Sequence, residues 1–184
     1  MSCYLTRKFL ESIFGDGAGL YSLPLVGVSK SKRGVSYSVK MHGMSSRDIS
    51  RTLWRLRRTK IVEFREDGEK VKIVLTELGK KRILRYKLED MKIQKPKKWD
   101  GNWHIVAFDI PENRKAARNA LGQKMKELGL LPFQKSLWIY PYDCKDEIDF
   151  IAGVFEVGKY VHYIITRSIT NDELLRQRFN VKAN

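Results

Sequence analysis

The chain has 184 residues, 42% hydrophobic and 31% charged, which is enough for one or two domains with a buried core. Its 36 basic side chains outnumber 21 acidic ones and give a net charge of +15, a balance typical of proteins that bind a polyanion. No apolar run reaches the roughly 18 residues of a membrane span, and no secretory signal pattern is present. Cys3 and Cys144 are too few for a disulfide framework or a zinc site. We therefore expect a cytoplasmic protein with no membrane partner and no metal.

The positive charge is concentrated in the first half of the chain. Residues 1–98 carry 24 basic and 10 acidic side chains, a net of +14, whereas residues 99–184 carry 12 and 11, a net of +1. The change coincides with the stretch Gln94-Lys95-Pro96-Lys97-Lys98, in which the proline disfavours helix. We therefore predict a DNA-binding domain over residues 1–96 and a second domain over residues 97–184.

The first part of the basic half has a weak pattern. A first helix is predicted from four apolar residues on one helical face, Leu5, Phe9, Leu10 and Ile13. Residues 18–34 are rich in Gly, Ser and Lys without a clear period and are predicted to form a loop, and residues 35–43 favour a short second helix.

From residue 45 onward the pattern is stronger. Ser45 and Asp48 have the spacing of a capping box, and apolar residues then follow at helical spacing, which predicts a helix ending near Thr59. An Asp-Gly turn lies between two strand-like runs and predicts a hairpin of Ile61–Arg65 with Lys70–Leu75. A further helix is predicted over Lys80–Leu88. The order helix, short helix, helix, hairpin, helix is that of a winged helix-turn-helix domain.

The second half alternates between strands and helices. Strands are predicted over Trp103–Ile110, Leu130–Gln134, Leu137–Tyr140 and Tyr160–Thr166. One helix is predicted over Glu112–Leu128, ended by Gly129, and a second carries Ile148, Ile151, Ala152 and Phe155 on one stripe. The order β-α-β-β-α-β is that of a ferredoxin-like fold, so the fold class is α+β.

The helix after Ser45 has one basic face and one apolar face. At 100° per residue, Arg47, Arg51, Arg55 and Arg58 fall within about 80° of one another, and Ile49, Leu53 and Leu56 lie opposite. Arginine suits contact with phosphates and guanine edges because its planar guanidinium gives bidentate geometry. We therefore predict a recognition helix. The candidate DNA-binding residues are Ser46, Arg47, Arg51, Trp54, Arg55 and Arg58. Lys70 and Lys72 of the hairpin are predicted to contact the DNA backbone.

This basic face has three other interpretations. It could be an ordinary solvated surface, but no acidic side chain interleaves the arginines. RNA is the main competing ligand, although the exposed paired aromatics of single-strand RNA readers are missing from the pattern. A membrane surface is disfavoured because no helix combines a basic face with exposed Trp or Phe opposite.

Several motifs resemble one known family. They are Ser45–Lys60 with the hairpin, Leu75–Gly79, Trp103–Pro111 and Gly129–Pro141, together with Arg114 and Arg118. On these residues the chain resembles the PaaX family of transcriptional repressors. The resemblance implies an N-terminal winged helix and a ferredoxin-like domain similar to the small nuclease of CRISPR adaptation. We therefore expect a homodimeric repressor that binds double-stranded DNA, with no cofactor and no catalytic residue.

The alternative function is that of a metal-dependent nuclease, or of a nucleic-acid scaffold of the CRISPR-adaptation type, that uses Asp109. In the CRISPR nuclease that the second half resembles, an aspartate at the end of the first strand binds a divalent metal, and Asp109 occupies that position. The simpler interpretation is a carboxylate favoured near the start of the next helix. His104 and His162 on neighbouring strands, and Trp99, Trp103, Trp138 and Tyr140, are interpreted as packing residues. The sequence leaves open the operator, any small effector, a metal at Asp109 and the conformation of residues 15–44.

Overall fold

The computed structural model describes residues 6–11, 22–24, 27–31, 34–38, 45–67 and 70–182, and the side chains of residues 6–11, 45–65 and 73–182. The chain divides into two compact units, Met1–Glu89 and Asp90–Asn184. Within the described residues, no helix combines the length and the apolar character that crossing a membrane requires.

The first unit combines helices with short strands. Residues 6–11 form the described part of helix α1. The strands are β1 (Ser22–Pro24), β2 (Gly27–Ser31), β3 (Gly34–Ser38), β4 (Val62–Asp67) and β5 (Lys70–Leu75), and the other helices are α2 (Ser46–Arg58) and α3 (Glu77–Asp90).

Two antiparallel sheets organise this unit. The predicted hairpin is confirmed, because β4 pairs with β5 from Val62↔Leu75 to Asp67↔Lys70. Strand β1 adds to the other side of β5, which gives the order β1-β5-β4. Strands β2 and β3 form a second, two-stranded sheet. The expectations of a loop over residues 18–34 and of a short helix over residues 35–43 are therefore wrong where the structure describes them.

The core of the first unit lies between α1, α2, the hairpin and α3. Its most buried side chains come from all of these elements: Phe9, Leu10, Ile49, Leu53, Leu56, Ile61, Ile73, Leu75 and Ile83. Gly79 of α3 lies so close to the start of β4 that a Cβ atom there would be 2.1 Å from the Ile61 carbonyl oxygen. The helix can therefore approach the hairpin only because this position has no side chain.

The second unit contains four strands and three α-helices in its described residues. The strands are β6 (Trp103–Phe108), β7 (Leu131–Gln134), β8 (Leu137–Tyr140) and β9 (Val161–Thr166). The helices are α4 (Lys115–Glu127), α5 (Lys145–Val154) and α6 (Asp172–Phe179), with short 3₁₀ turns over Glu112–Arg114 and Gly158–Tyr160. Gly129, with φ of 94°, follows the C-cap of α4 and ends that helix as predicted.

The sheet of this unit has the predicted topology. Its strand order is β7-β8-β6-β9 and every neighbouring pair is antiparallel, so the β-α-β-β-α-β order is confirmed. Helix α4 packs on the face that carries Trp138, because a Cβ at Gly122 would lie 3.5 Å from the ring of Trp138. The opposite face carries Trp103, Ile105 and Ile139 and is covered by Leu175 of α6.

The two units divide between Glu89 and Asp90, whereas the sequence places the boundary between residues 96 and 97. Ile93 is buried, and Gln94, Lys95 and Pro96 line a shallow pocket together with Tyr142 and Asp143. This segment therefore packs on the second unit, although its composition is that of a linker.

Candidate nucleic-acid interface

Helix α2 is fixed by its capping box and by its apolar face. The Ser45 Oγ accepts a hydrogen bond from the Asp48 N–H at 3.2 Å and donates one to the Asp48 carboxylate at 2.7 Å. Ile49, Leu53 and Leu56 are each 1% exposed, so this face holds the helix on the core. Because a helix buries only one stripe, the face opposite these residues must point into solvent.

Three of the predicted arginines lie on that solvent face. Arg47, Arg51 and Arg58 are exposed, and none has an acidic side chain as a partner among the described residues. Asp48 is the one acid of the helix, and its carboxylate is bound to Ser45. The face therefore presents several guanidinium groups whose charge nothing described in the protein neutralises.

Arg55 is placed differently from the other three. It is half-buried, and its Nη2 donates a hydrogen bond to Thr6 Oγ1 of α1, a side chain that is itself buried. Arg55 therefore lies at the flank of the basic face and joins α2 to α1. The helical wheel could not show this, because the partner lies 49 positions away in the sequence.

Trp54 lies beside the basic face and is 50% exposed. The Arg57 guanidinium carbon lies 5.6 Å from the centroid of the Trp54 ring and 5.0 Å from that of Phe64 on β4. These cation–π contacts hold the guanidinium beside Trp54. Sequence reasoning missed Arg57, although its position three residues after Trp54 was visible.

The long side chains around Trp54 enclose an open pocket of about 700 Å³. Arg51, Trp54, Arg55, Arg57 and Arg58 line it. It combines one aromatic surface with four guanidinium groups, a combination that suits a phosphate and a sugar or base edge.

The remaining predicted contacts lie at the edges of this surface. Ser46 is the first residue of α2 and is exposed, and the cap itself is Ser45. Lys70 and Lys72 are on β5, paired with Asp67 and Arg65 of β4. The side chains of both lysines lie outside the described part of the structure.

Asp109 follows the end of β6 and is exposed. Its N–H donates to the Tyr160 carbonyl at 3.0 Å, which fixes the backbone at this corner. Across the residues that the structure describes, no three His, Cys, Asp or Glu side chains come close enough together to hold a metal ion.

The two histidines lie on adjacent strands but do not meet. His104 pairs with Ile165 and His162 pairs with Ala107, so their side chains point to opposite faces of the sheet. His104 is buried and its Nδ1 lies 2.9 Å from the Tyr163 hydroxyl, which also donates to Asp143 at 3.0 Å. Burial lowers the pKa of His104, because it disfavours the charged imidazolium.

Cys144 belongs to the same buried cluster. Its N–H donates to the Tyr163 hydroxyl at 3.0 Å, and its Sγ lies 3.6 Å from the same oxygen. Burial raises the pKa of the Cys144 thiol to about 11, so the thiol is protonated and unreactive at neutral pH. The cluster connects β6, β9 and the start of α5, which is a packing role.

The comparison with known protein families gives a match in the second unit. Residues 96–176 match the family model described as the PaaX protein central Cas2-like domain. No curated protein is significantly similar to the chain in sequence.

Proposed function

We propose that the chain is a cytoplasmic repressor of the PaaX type that binds duplex DNA as a homodimer, since residues 96–176 match the central Cas2-like domain of the PaaX protein. We infer from this match that the chain regulates transcription, with an enzymatic role as the alternative. The proposal adds the ligand, the contact surface and the oligomeric state.

One observation carries the proposal: the solvent face of α2. Arg47, Arg51 and Arg58 are exposed and have no acidic partner among the described residues, while the opposite face of the same helix is buried. A helix is narrow enough to enter the major groove, and guanidinium groups on its outer face can contact phosphates and guanine edges there. We propose that these three arginines and Trp54 are the main DNA contacts.

The rest of the first unit supports a winged-helix mode of binding. Strand β1 completes a three-stranded sheet with the hairpin β4–β5, and α2 comes directly before that hairpin in the chain. The hairpin would then contact the DNA sugar-phosphate backbone through Lys70 and Lys72. The described strands β2 and β3 lie where the sequence favoured a second helix, so the unit departs from a plain helix-turn-helix arrangement.

The small reach of one recognition helix supports the proposed homodimer. One recognition helix covers only a few base pairs, and specific operators are bound tightly when two symmetric copies address two half-sites. The second unit carries almost no net charge, which suits protein–protein contact better than binding DNA along its length.

The proposal is tested by selecting bound sequences from a random DNA pool and measuring affinity for the selected duplex as a function of salt. A repressor of this kind yields an inverted repeat whose half-sites are about one helical turn apart, or a multiple of it. A pool without any enriched sequence, or one enriched only in single-stranded molecules, contradicts the proposal.

Two double variants with the same loss of charge locate the surface. Arg51→Ala with Arg58→Ala should weaken binding by about 10- to 100-fold and lower the slope of log affinity against log salt by about two. The control is Arg167→Ala with Arg178→Ala, which removes two exposed arginines from the second unit. Equal losses in the two variants would mean that net charge alone drives binding and that the α2 face has no special role.

A further inference from the structure

Trp54 is a large apolar side chain among the exposed arginines of α2. It follows Arg51 by three residues and precedes Arg58 by four, so it lies about one helical turn from each of them on the same side of the helix. Half of its side chain is exposed. The residues that α2 buries against the core are others, namely Ile49, Thr52, Leu53 and Leu56.

Contacts with the rest of the first unit hold the Trp54 ring in place. The Arg57 guanidinium carbon lies 5.6 Å from the centroid of this ring and 5.0 Å from the centroid of Phe64 on β4. Phe64 packs on the core of the unit, so Arg57 joins the indole to the hairpin. A side chain that is already held in position loses little conformational freedom on binding, which favours its use in recognition.

The chemistry of the major groove limits what an indole can contact there. The base edges present hydrogen-bond donors and acceptors, and the apolar group among them is the 5-methyl group of thymine. Guanidinium groups match guanine edges and phosphates, whereas an indole, apart from its one N–H, offers only apolar surface. A thymine methyl that packs against the exposed half of Trp54 removes apolar surface of both groups from water.

We propose that Trp54 reads the 5-methyl group of one thymine in each half-site of the operator. This inference rests on the proposed DNA binding by α2 and adds the base that the helix selects beside its arginines. Arg51 and Arg58 lie about 4.5 Å and about 6 Å from Trp54 along the helix axis, and successive base pairs are about 3.4 Å apart. For a helix that lies along the groove, their contacts therefore fall within about two base pairs of this thymine.

The test removes this methyl group alone. In the duplex selected from the random pool, each thymine is replaced by deoxyuridine, one position at a time and in both half-sites together. The affinity of the full chain is measured at one salt concentration. Burial of one methyl group corresponds to about fourfold in affinity, so we expect one thymine position at which the replacement weakens binding by about 10- to 15-fold. Replacement of thymines outside the half-sites should weaken binding by less than about twofold.

Variants of α2 show whether Trp54 is the residue that contacts the methyl group. In Trp54→Ala and in Trp54→Gln the same replacement should change the affinity by less than about twofold, because the contact is already lost, whereas Trp54→Phe should keep most of the effect. Arg47→Ala is the control. Arg47 lies about 10 Å from Trp54 along the helix axis, so this variant should weaken binding of both duplexes and leave the ratio of the two affinities unchanged.

Two results would overturn the inference and leave the proposed function intact. One is that deoxyuridine weakens binding by no more than about twofold at every thymine position. The other is an equal loss in wild type and in Trp54→Ala, which is expected if the ring stacks on a deoxyribose and has no preference for thymine. A pool without any enriched duplex would overturn both proposals, since α2 would then have no operator to read.

Discussion

Replacing Gly79 by alanine is the sharpest test of how the first unit is packed. A Cβ at this position would lie 2.1 Å from the Ile61 carbonyl oxygen, 2.8 Å from Leu75 Cδ2 and 3.2 Å from the Ile61 carbonyl carbon. The leucine can rotate away, but the carbonyl belongs to the backbone at the start of β4 and cannot. Helix α3 would therefore have to move by about an ångström to reach an ordinary contact distance.

That movement disturbs hydrogen bonds on both sides of the contact. The Thr76 N–H donates to the Ile61 carbonyl at 3.1 Å, the Thr76 hydroxyl donates to the Lys60 carbonyl at 2.6 Å, and the Gly79 N–H donates to that hydroxyl at 3.1 Å. Overpacking costs about 1–3 kcal/mol, and each weakened hydrogen bond about 1 kcal/mol. Alanine recovers about 1 kcal/mol through its helix propensity. We expect the free energy of unfolding of the first unit to fall by about 3–5 kcal/mol.

The measurement must resolve the two units within the full chain. Trp54 is the only tryptophan of residues 1–89, so ¹⁹F spectra of the chain labelled with 5-fluorotryptophan report on each unit separately during urea unfolding. Gly153→Ala is the control, because a Cβ there meets nothing within 4 Å. Gly122→Ala, in the middle of α4, should stabilise its unit by about 0.5–1 kcal/mol. Similar effects at Gly79 and Gly153 would refute the close approach of α3 to β4.

The further predictions concern four single groups. Arg55→Ala should lower the stability of the first unit by about 1 kcal/mol, because Arg55 donates to Thr6, whereas Arg51→Ala should change it by less than about 0.5 kcal/mol; equal effects in urea unfolding would contradict the assignment. Burial lowers the pKa of His104 from its usual 6.5, so the stability of the second unit should fall as the pH drops below about 6.5. Burial raises the pKa of Cys144 from 9.0 to about 11, so stability should also fall as the pH rises above about 9, and a flat profile across both limits would refute the burial of both groups. Tyr163→Phe should cost about 1–3 kcal/mol, measured by the same unfolding, since the Cys144 N–H and the His104 Nδ1 lose their shared partner.

The sequence was most informative where structure is local. The capping box of Ser45 and Asp48 located the start of α2 to the residue, and the two strand-like runs on either side of the Asp-Gly pair predicted the hairpin. The order of strands and helices in the second unit was predictable because the spacing of its hydrophobic residues alternates between the strand period and the helix period. This spacing depends only on residues that are close in the sequence. These predictions succeeded because a cap or a tight turn needs no distant partner.

The missed features depend on distant partners. Strand β1 has three residues and is held by β5, about fifty positions later in the chain, so its own sequence carries little strand pattern. Strands β2 and β3 are an exception, because they pair with each other over a short stretch of chain; they were interpreted as loop and helix because they are rich in glycine and serine. The bond of Arg55 to Thr6 and the contact of Arg57 with Phe64 are likewise set by tertiary packing.

The arrangement of charge distinguishes α2 from the helices of the second unit. In α4, α5 and α6, most basic side chains are paired with nearby acids, for example Lys124 with Glu127, Lys145 with Asp149 and Arg176 with Asp172. Helix α2 instead places arginines four residues apart at positions 47, 51 and 55, and like charges at this spacing destabilise a helix by about 0.2–0.5 kcal/mol per pair.

Because of this repulsion, replacing one of these arginines should affect stability and DNA binding in opposite directions, which would not be so if the basic face served only the fold. Arg51→Glu turns two repulsive pairs, with Arg47 and Arg55, into attractive ones, so the first unit should be about 0.5–1 kcal/mol more stable in low salt, with the gain shrinking as salt is added. The same variant should lose specific duplex binding, because a carboxylate then faces the phosphates. If Arg51 served the fold, stability and DNA affinity would fall together. A gain of stability with a loss of binding means that α2 tolerates its own repulsion for the sake of an external anion.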